Sequence, residues 1–264
     1  MTATRDGMSE PSAPSVSVCM ATYNGQRWLP EQLSSILTEL DVDDEVVIVD
    51  DASTDDTVQV ATSFDDPRVR VVRQATNRGY VRTFEHALTL ARRDIVFLSD
   101  QDDVWVPGRR DALIAALEGA EVAAGELLLH PDGRPLPHPI TRRPWRLGAP
   151  GRGHRLARQL RIWMGTAPYF GCAMAVRRPY LDVALPFPAF LTESHDLWLA
   201  TLSNAGGVLS HATTPTVLRR LHESNTSPSR PRGPVAVLAA RIMLARCSRE
   251  AVVRSRRVRA AARS

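Results

Sequence analysis

The sequence predicts an α/β fold, with a mostly parallel sheet flanked by helices on both faces. Three observations lead there. Short apolar runs rich in Val, Ile and Leu recur along roughly the first hundred residues. Amphipathic stretches of helical length separate them. Polar clusters follow the apolar runs, where ligands collect at the carboxyl ends of strands in such sheets.

Taken in order, "SVSVCMA" (15–21) reads as a strand and "RWLPEQLSSILTEL" (27–40) as a helix. "EVVIVD" (45–50) is a strand, "TDDTVQVATSF" (54–64) a helix and "RVRVVRQ" (68–74) a strand. "YVRTFEHALTLAR" (80–92) is a helix, and "DIVFLSD" (94–100) a fourth strand. Strands this uniformly apolar are expected to be buried on both faces. Residues 119–160 lose the alternation, and "HPDGRPLPHPITRRPWRLGAPGRG" (130–153) reads as a long connection dense in Pro, Gly and Arg. Order returns with "YFGCAMAVRRPYLDVA" (169–184), a strand and the start of a helix, and "HDLWLATLSNAG" (195–206), a helix ended by glycine. The last stretch, "VAVLAARIMLARCSREAVVRSRRVRAA" (235–261), has helical propensity with Arg between apolar positions.

Composition narrows the function. A chain of 264 residues with 44% hydrophobic content can form one large domain with an appendage. Ten Arg and one Glu lie between Arg230 and Ser264, so the rest of the chain is net acidic by five charges under an overall +4. Cys19, Cys172 and Cys247 are odd in number and far apart, which points away from a disulfide framework or a zinc knuckle and fits a reducing compartment. The opening "MTATRDGMSEPSAPS" lacks an apolar targeting core, and no window reaches the roughly 18 apolar residues of a membrane span. The expected location is cytoplasmic.

Three strand ends carry the chemistry. "DQDD" (100–103) crowds Asp100, Asp102 and Asp103 behind a buried strand. Left alone these acids repel one another, and Mn²⁺ or Mg²⁺ shared with diphosphate oxygens would relieve them; the other reading is a solvated acidic turn. In "VVIVDDASTDDT" (46–57), Ser53 or Thr54 can cap the following helix with Asp55 and Asp56 in its first turn. Asp51 is then left over to accept a hydrogen bond from a ring N–H of a base. "ATYNG" (21–25) offers Thr22, Tyr23 and Asn24, with a Tyr ring that could stack on a base or simply pack. The absence of a G-x-G-x-x-G turn in "TYNGQRW" (22–28) argues against a dinucleotide-dependent dehydrogenase.

In this order and spacing, the stretches from Val16 to Asp111 resemble the inverting family 2 nucleotide-sugar glycosyltransferases with the GT-A fold, nearest the bacterial rhamnosyltransferase-like branch. The resemblance implies that Tyr23 and Asp51 hold the base with Thr22 and Asn24 beside them, and that Asn77 and Gly79 form a loop near the donor. It makes Asp100 and Asp102 the D-x-D, with Asp102 the direct metal ligand, Asp100 serving both nucleotide and metal, and Asp103 adjoining. Ala21 departs from a frequent Thr.

"GCAM" (171–174) and "HDLWLA" (195–200) resemble two later segments of that branch, Leu197 replacing a Trp. The resemblance implies that Asp196 is the general base, that Glu193 is its rival, and that Gly171, Cys172, Glu193 and Trp198 lie on the acceptor side. An inverting displacement needs a carboxylate to take the proton of the attacking hydroxyl. "ESHD" (193–196) also reads as an N-cap through Ser194 or Asp196. In "RRLHESNTS" (219–227), Arg220, His222 and Asn225 match a tail motif, while Arg219 stands where Tyr is common. Arg220 would stabilise the departing diphosphate; His222 would bind metal or phosphate, or be merely solvated.

The implied function is a metal-dependent transferase using Mn²⁺ or Mg²⁺ and a nucleoside-diphosphate sugar, dTDP-rhamnose or a UDP-hexose. The acceptor would be a hydroxyl of a growing surface glycan or lipid-linked oligosaccharide. A degenerate scaffold that binds nucleotide-sugar and partners another transferase is the alternative, motivated by Ala21, Leu197 and Arg219. The division expected is a disordered lead-in (1–14), a nucleotide-sugar-binding half (15–118), an acceptor-side half of the same domain (119–228) and a basic helical tail (229–264). In that tail, Arg254, Arg256, Arg257 and Arg259 with Val252, Val253 and Val258 would either lie on the inner face of the cell membrane or dock on the domain. No nucleic acid is expected, since no aromatic residues interleave the arginines.

Overall fold

The computed structural model describes residues 13–139, 141–148, 154–222 and 233–261, with side chains to residue 256 at the end. Most of the expected lead-in, Asn225, and the side chains of Arg257, Val258 and Arg259 lie outside the described residues.

β1 (Val16–Thr22), α1 (Leu29–Glu39), β2 (Glu45–Asp50), α2 (Thr57–Thr62), β3 (Val69–Arg73), α3 (Tyr80–Leu90) and β4 (Ile95–Asp100) alternate as the periodicity predicts. Then follow β5 (Val104–Trp105), α4 (Arg109–Ala116), β6 (Val122–Leu129), β7 (Arg134–Pro135), α5 (Arg155–Met164), β8 (Met174–Arg177), α6 (Leu181–Ala184), α7 (His195–Gly206), β9 (Leu209–Arg219) and α8 (Pro234–Ala261). One sheet runs β3-β2-β1-β4-β8-β6-β9-β5, with β7 hung on β6. β3, β2, β1 and β4 are parallel, β8 is antiparallel between β4 and β6, and β9 is parallel to β6.

The apolar runs lack alternation because both faces of the sheet are covered. Val18, Met20, Ile48 and Phe97 meet Leu33 and Ile36 of α1 and Leu113 of α4 on one face. Cys19, Val47, Val49 and Leu98 meet Phe84 and Leu88 of α3, and the core continues into Trp198 and Leu199 of α7 and Leu244 and Cys247 of α8. α1 begins with Pro30 in its first turn, where a missing N–H costs no helical bond.

Register brings the polar clusters level. Thr22 is opposite Asp50, and Ala21 is opposite Asp100, so three strands end on one rim. The parallel pairing places that rim at the carboxyl ends.

The stretch 119–160, where the alternation is lost, contains β6 and the start of α5, and the part read as a connection, 130–153, contains the short β7. β6 reads Val-Ala-Ala-Gly-Glu-Leu-Leu-Leu, buried over most of its length, so it carries no period of two. Its Gly125 sits against β9, where a Cβ would stand 2.1 Å from Thr216 Oγ1, and the strand register shifts there. The capping expectation for Ser53 and Thr54 is corrected: α2 starts only at Thr57 and has no side-chain cap bond, while Ser53 donates both its N–H and its hydroxyl to Asp50. At the C-terminal end, α8 packs on α7 and buries Met243, Leu244, Cys247 and Ala251. Arg254 is fastened to Glu250 and to the carbonyls of Val183, Ala184 and Pro186, with its guanidinium over Trp198. Among the described residues, no helix is long and apolar enough to cross a membrane.

Candidate active site

A cleft of about 620 Å³ opens over the rim where β1, β2 and β4 end, walled opposite by Phe170, Gly171 and the start of α7. Thr22, Tyr23, Asp51, Asn77, Gly79, Asp100, Asp102, Gly171, Glu193 and Asp196 of the expected set line it.

The rim is built from short bonds between loops. Thr22 donates its hydroxyl to Asp50 (3.2 Å), a wholly buried acid that organises the following turn. The Tyr23 N–H donates to Gln101 Oε1 (2.9 Å) and Gln101 Nε2 returns a bond to the Tyr23 carbonyl (3.0 Å), leaving the Tyr23 side chain exposed at the cleft. Asn24 adopts positive φ and accepts from the Thr54 N–H (2.9 Å), joining two loops. Asn24 does not line the cleft, which corrects its expected place at the nucleotide.

Asp51 is buried and engaged. It accepts from Gln74 Nε2 (3.1 Å), the Arg78 N–H (2.7 Å) and the Gly79 N–H (2.9 Å), which pins the Asn77–Gly79 loop at the start of α3. A carboxylate offers about four acceptor positions, so these three leave capacity for one more. Gly79 holds φ at +79°, a conformation glycine adopts without strain.

Asp100, Asp103 and Cys172 place their ligand atoms within 4.8 Å of one another. Burial first, then the charges of Asp103 and Asp102, holds the Asp100 carboxyl well above its ordinary range. Burial and then Asp102 push Asp103 up to about 6. The Cys172 thiol is likewise driven up by burial and bonds to the Asp103 carboxylate. Cys172 therefore belongs to the acid cluster, which corrects its expected place on the acceptor wall. Crowded carboxylates with raised proton affinity are the donor set a hard divalent cation relieves, while a protonated thiol is a poor partner for one. Asp102 lies beside them, its Oδ2 2.9 Å from His222 Nε2, and the His222 ring stacks on Trp28 at 5.0 Å.

Behind the cluster, Arg109 is fully buried over the Trp105 ring (4.3 Å) and donates to the carbonyls of Leu98 and Thr216. The adjacent arginines divide. Arg220 donates its N–H to Asp103, its Nε to the Asp102 carbonyl and its Nη2 to Glu31 (2.7 Å), lies over Trp28, and does not line the cleft. Arg219, at the end of β9, does line it, with its guanidinium 4.6 Å over Phe170. Its charge lowers the proton affinity of Asp100, Asp103 and Asp196 alike. The Arg-for-Tyr departure thus puts a cation into the cleft, and the cation expected from the motif, Arg220, is held outside.

Across the cleft, Ser194 turns the chain into α7 at φ +60° without a side-chain cap, its N–H donating to the Tyr80 hydroxyl (2.9 Å). Asp196 follows in the first turn, accepting from the Leu197 N–H (2.7 Å) and from the Gly171 backbone. Burial raises it to about 6 despite those bonds. His195 lies between, buried and stacked on Phe84 at 4.3 Å, with neither ring nitrogen bonded and its proton affinity lowered to about 3 by burial. A Cβ on Gly171 would stand 2.8 Å from His195 Nε2, so that wall needs glycine. Trp198, expected on the acceptor side, is fully buried in the core and donates to the Ala184 carbonyl (3.1 Å). It lies two residues beyond Asp196, on the side of α7 turned away from the cleft.

His195, Gln101, Phe170 and Arg219 are cleft residues that pattern reading did not single out for a role. Gln101 and His195 had a visible signal, each being the neighbour of a motif acid. Arg219 had one in its departure from the tail motif, while Phe170 had none, because the fold alone brings it against Arg219.

Residues 17–183 match the family described as Glycosyl transferase family 2. The chain is 38% identical over 93 residues to the dTDP-rhamnosyl transferase RfbG of Shigella flexneri, spanning 33% of this chain and 32% of that protein. It is 33% identical over 126 residues to the succinoglycan biosynthesis protein ExoO of Rhizobium meliloti, spanning 47% and 36%. The matched stretches thus span about a third of those relatives' length. Among solved structures, that of S. aureus TarS 1–349 in complex with UDP-GlcNAc superposes with a TM-score of 0.63 at 20% identity, covering 87% of this chain and 66% of TarS. That likeness establishes the shared fold, a curled α/β sheet of the GT-A type.

Proposed function

The chain belongs to glycosyl transferase family 2, and from that premise we propose that it moves a sugar from a nucleoside-diphosphate donor to a hydroxyl of a growing glycan. One observation carries the reading: a carboxyl raised to about 6, Asp196, faces the same cleft as the Asp100–Asp103 acid cluster. A general base works best when its proton affinity is near the working pH.

In the proposed reaction the acceptor oxygen attacks C1 of the donor sugar from the face opposite the diphosphate. The new C1–O bond forms as the old one breaks, its electron pair leaving with the diphosphate, and the hydroxyl proton passes to Asp196. Inversion follows from this single in-line step. Tyr23 stacks on the base, Asp51 accepts from its ring N–H, and Asn77 and Gly79 border the donor. Asp100, Asp102 and Asp103 would hold Mn²⁺ or Mg²⁺, which when bound supplies positive charge to the donor diphosphate. Arg219 adds a fixed cation on the leaving-group side, a role its place in the cleft supports better than that of Arg220. Glu193 remains on the acceptor wall. In this reading residues 15–118 serve the donor, 119–228 the acceptor, and the reaction takes place in the cytoplasm.

Between dTDP-rhamnose and a UDP-hexose, the RfbG likeness favours the first, and the fold shared with a UDP-GlcNAc-bound structure is compatible with the second. A scaffold without turnover loses part of its motive, since Leu197 packs against the core and Arg219 enriches the cleft. Calorimetric titration with UDP and dTDP, each with Mn²⁺ and with EDTA, tests the reading. Metal-dependent binding of one nucleotide supports it and identifies the base; no binding of either by folded protein would refute it.

A further inference from the structure

We propose that the outer face of α5 and the N-terminal half of α8 seats this protein on an anionic lipid bilayer. The face is apolar where a soluble surface is ordinarily polar. On α5, Leu156, Leu160 and Trp163 are 88%, 54% and 44% exposed, at helical spacings of four and three that stack them along one side. α8 continues the patch with Leu238 and Ile242, 62% and 54% exposed. Residues 233–239 are all exposed, so this end of α8 stands clear of the domain.

The two helices form one surface. Trp163 Nε1 donates to Ser248 Oγ (3.0 Å), Gln159 to the same oxygen (3.3 Å), and Arg241 Nη2 to the Met164 carbonyl (2.9 Å). These bonds run the helices antiparallel and bring Ile242 beside the end of α5.

Charge decides the occupant. Residues 154–166 and 233–249 contain no Asp or Glu, whereas Arg246 and Arg249 are exposed on α8 in helical register with Ile242, and Arg155, Arg161 and Arg241 are half-exposed beside them; Arg158 is buried and donates to the Leu209 carbonyl (3.3 Å). A second copy of the chain would bring like charges together across the contact. Lipid headgroups of negative charge match the arginines while acyl chains take up Leu, Ile and Trp, the arrangement of interfacial amphipathic helices. The surface is distinct from the arginine cluster further along α8, where Arg254 is already held by Glu250 and three carbonyls.

Only five residues separate Met164 from Phe170 on the cleft wall, a reach of at most about 20 Å. Combined with the proposed transferase reading, the seat would present the cleft to a lipid-linked acceptor. The seat itself does not depend on that reading, since lipid binding needs no donor.

The test is flotation of the full chain with phosphatidylcholine vesicles, with and without phosphatidylglycerol. The chain should float with the anionic vesicles, lose part of that association in high salt, and bind the neutral ones weakly. Leu160→Asp with Ile242→Asp should lower the partition by roughly tenfold or more. Leu156→Asp with Leu238→Asp should do the same, giving a second pair at exposed positions where folding is not at stake. No flotation with anionic vesicles, or flotation unchanged in both pairs, would overturn the proposal. So would a self-associated wild type that these substitutions convert to monomer without any vesicle binding.

Discussion

Gln101, the residue between Asp100 and Asp102, exchanges two hydrogen bonds with the backbone of Tyr23, one of 2.9 Å and one of 3.0 Å. A Cβ on Gly25 would stand 2.1 Å from the same Gln101 oxygen. The first and fourth strand ends are therefore locked by one amide. Gly25→Ala should force that amide away and cost about 1–3 kcal/mol. Gln101→Ala should cost less stability but loosen Tyr23, lowering nucleotide affinity. Thermal unfolding together with nucleotide titration separates the two, and a Gln101→Ala protein with unchanged affinity would count against the coupling.

Asp196→Asn keeps the size of the side chain and removes its basicity. Transfer should fall by roughly 10²–10⁴ while donor affinity stays within a factor of two or so. In the wild type, turnover should rise with pH through about 6 as Asp196 loses its proton, and the small residual rate of the variant should lack that limb. The same raised affinity affects folding in the opposite sense. The folded state holds this proton more tightly than the unfolded chain, whose carboxyl sits near 3.8. Stability should therefore decline as pH climbs from about 4 to 6, by on the order of 2 kcal/mol from this group. Denaturant melts at pH 4.5, near that window's lower edge, and at pH 7, beyond its upper edge, should differ less in the Asn variant.

Replacing Asp102 by Ala should weaken Mn²⁺-supported nucleotide binding by tenfold or more, on the order of 1.4 kcal/mol, with little change when EDTA is present. It also removes the 2.9 Å contact between Asp102 and His222, so the His222→Ala protein is the needed companion. If His222 only positions Asp102, its removal should produce a smaller loss with the same metal dependence. Equal affinity of wild type and Asp102→Ala in Mn²⁺ would exclude Asp102 from the metal site.

Trp198→Ala should act on stability alone. Removing a fully buried indole costs about 3–5 kcal/mol, whereas nucleotide affinity per folded molecule should be unchanged. Chemical denaturation combined with titration below the transition distinguishes this from a role at the acceptor.

The alternation of strands and helices from Val16 to Asp100, and the acids at the strand ends, were legible in the sequence because apolar periodicity and strand-end polarity are local properties. So was the resemblance that singled out Asp100, Asp102 and Asp196. β6 and β9 were not, because β6 has Ala, Gly and Glu where the other strands have branched apolar residues, and β9 is partly exposed and broken by Thr213, Thr214 and Pro215; their neighbours across the sheet stabilise them. The resemblance placed Trp198 on the acceptor side, where the structure buries it in the core, and it placed Asn24 and Cys172 at the cleft, where the structure shows them outside the lining. Whether a side chain on a motif faces the cleft, another loop or the core depends on helix rotation and loop pairing, which no spacing records. The tertiary structure alone chose Arg219 over Arg220 for the cleft, since successive residues at the end of β9 point to opposite sides. Local periodicity thus determined the fold and the residue types at its active rim. The packing of distant segments decided which of those residues reach it, because burial and charge are set by neighbours that lie far away along the chain.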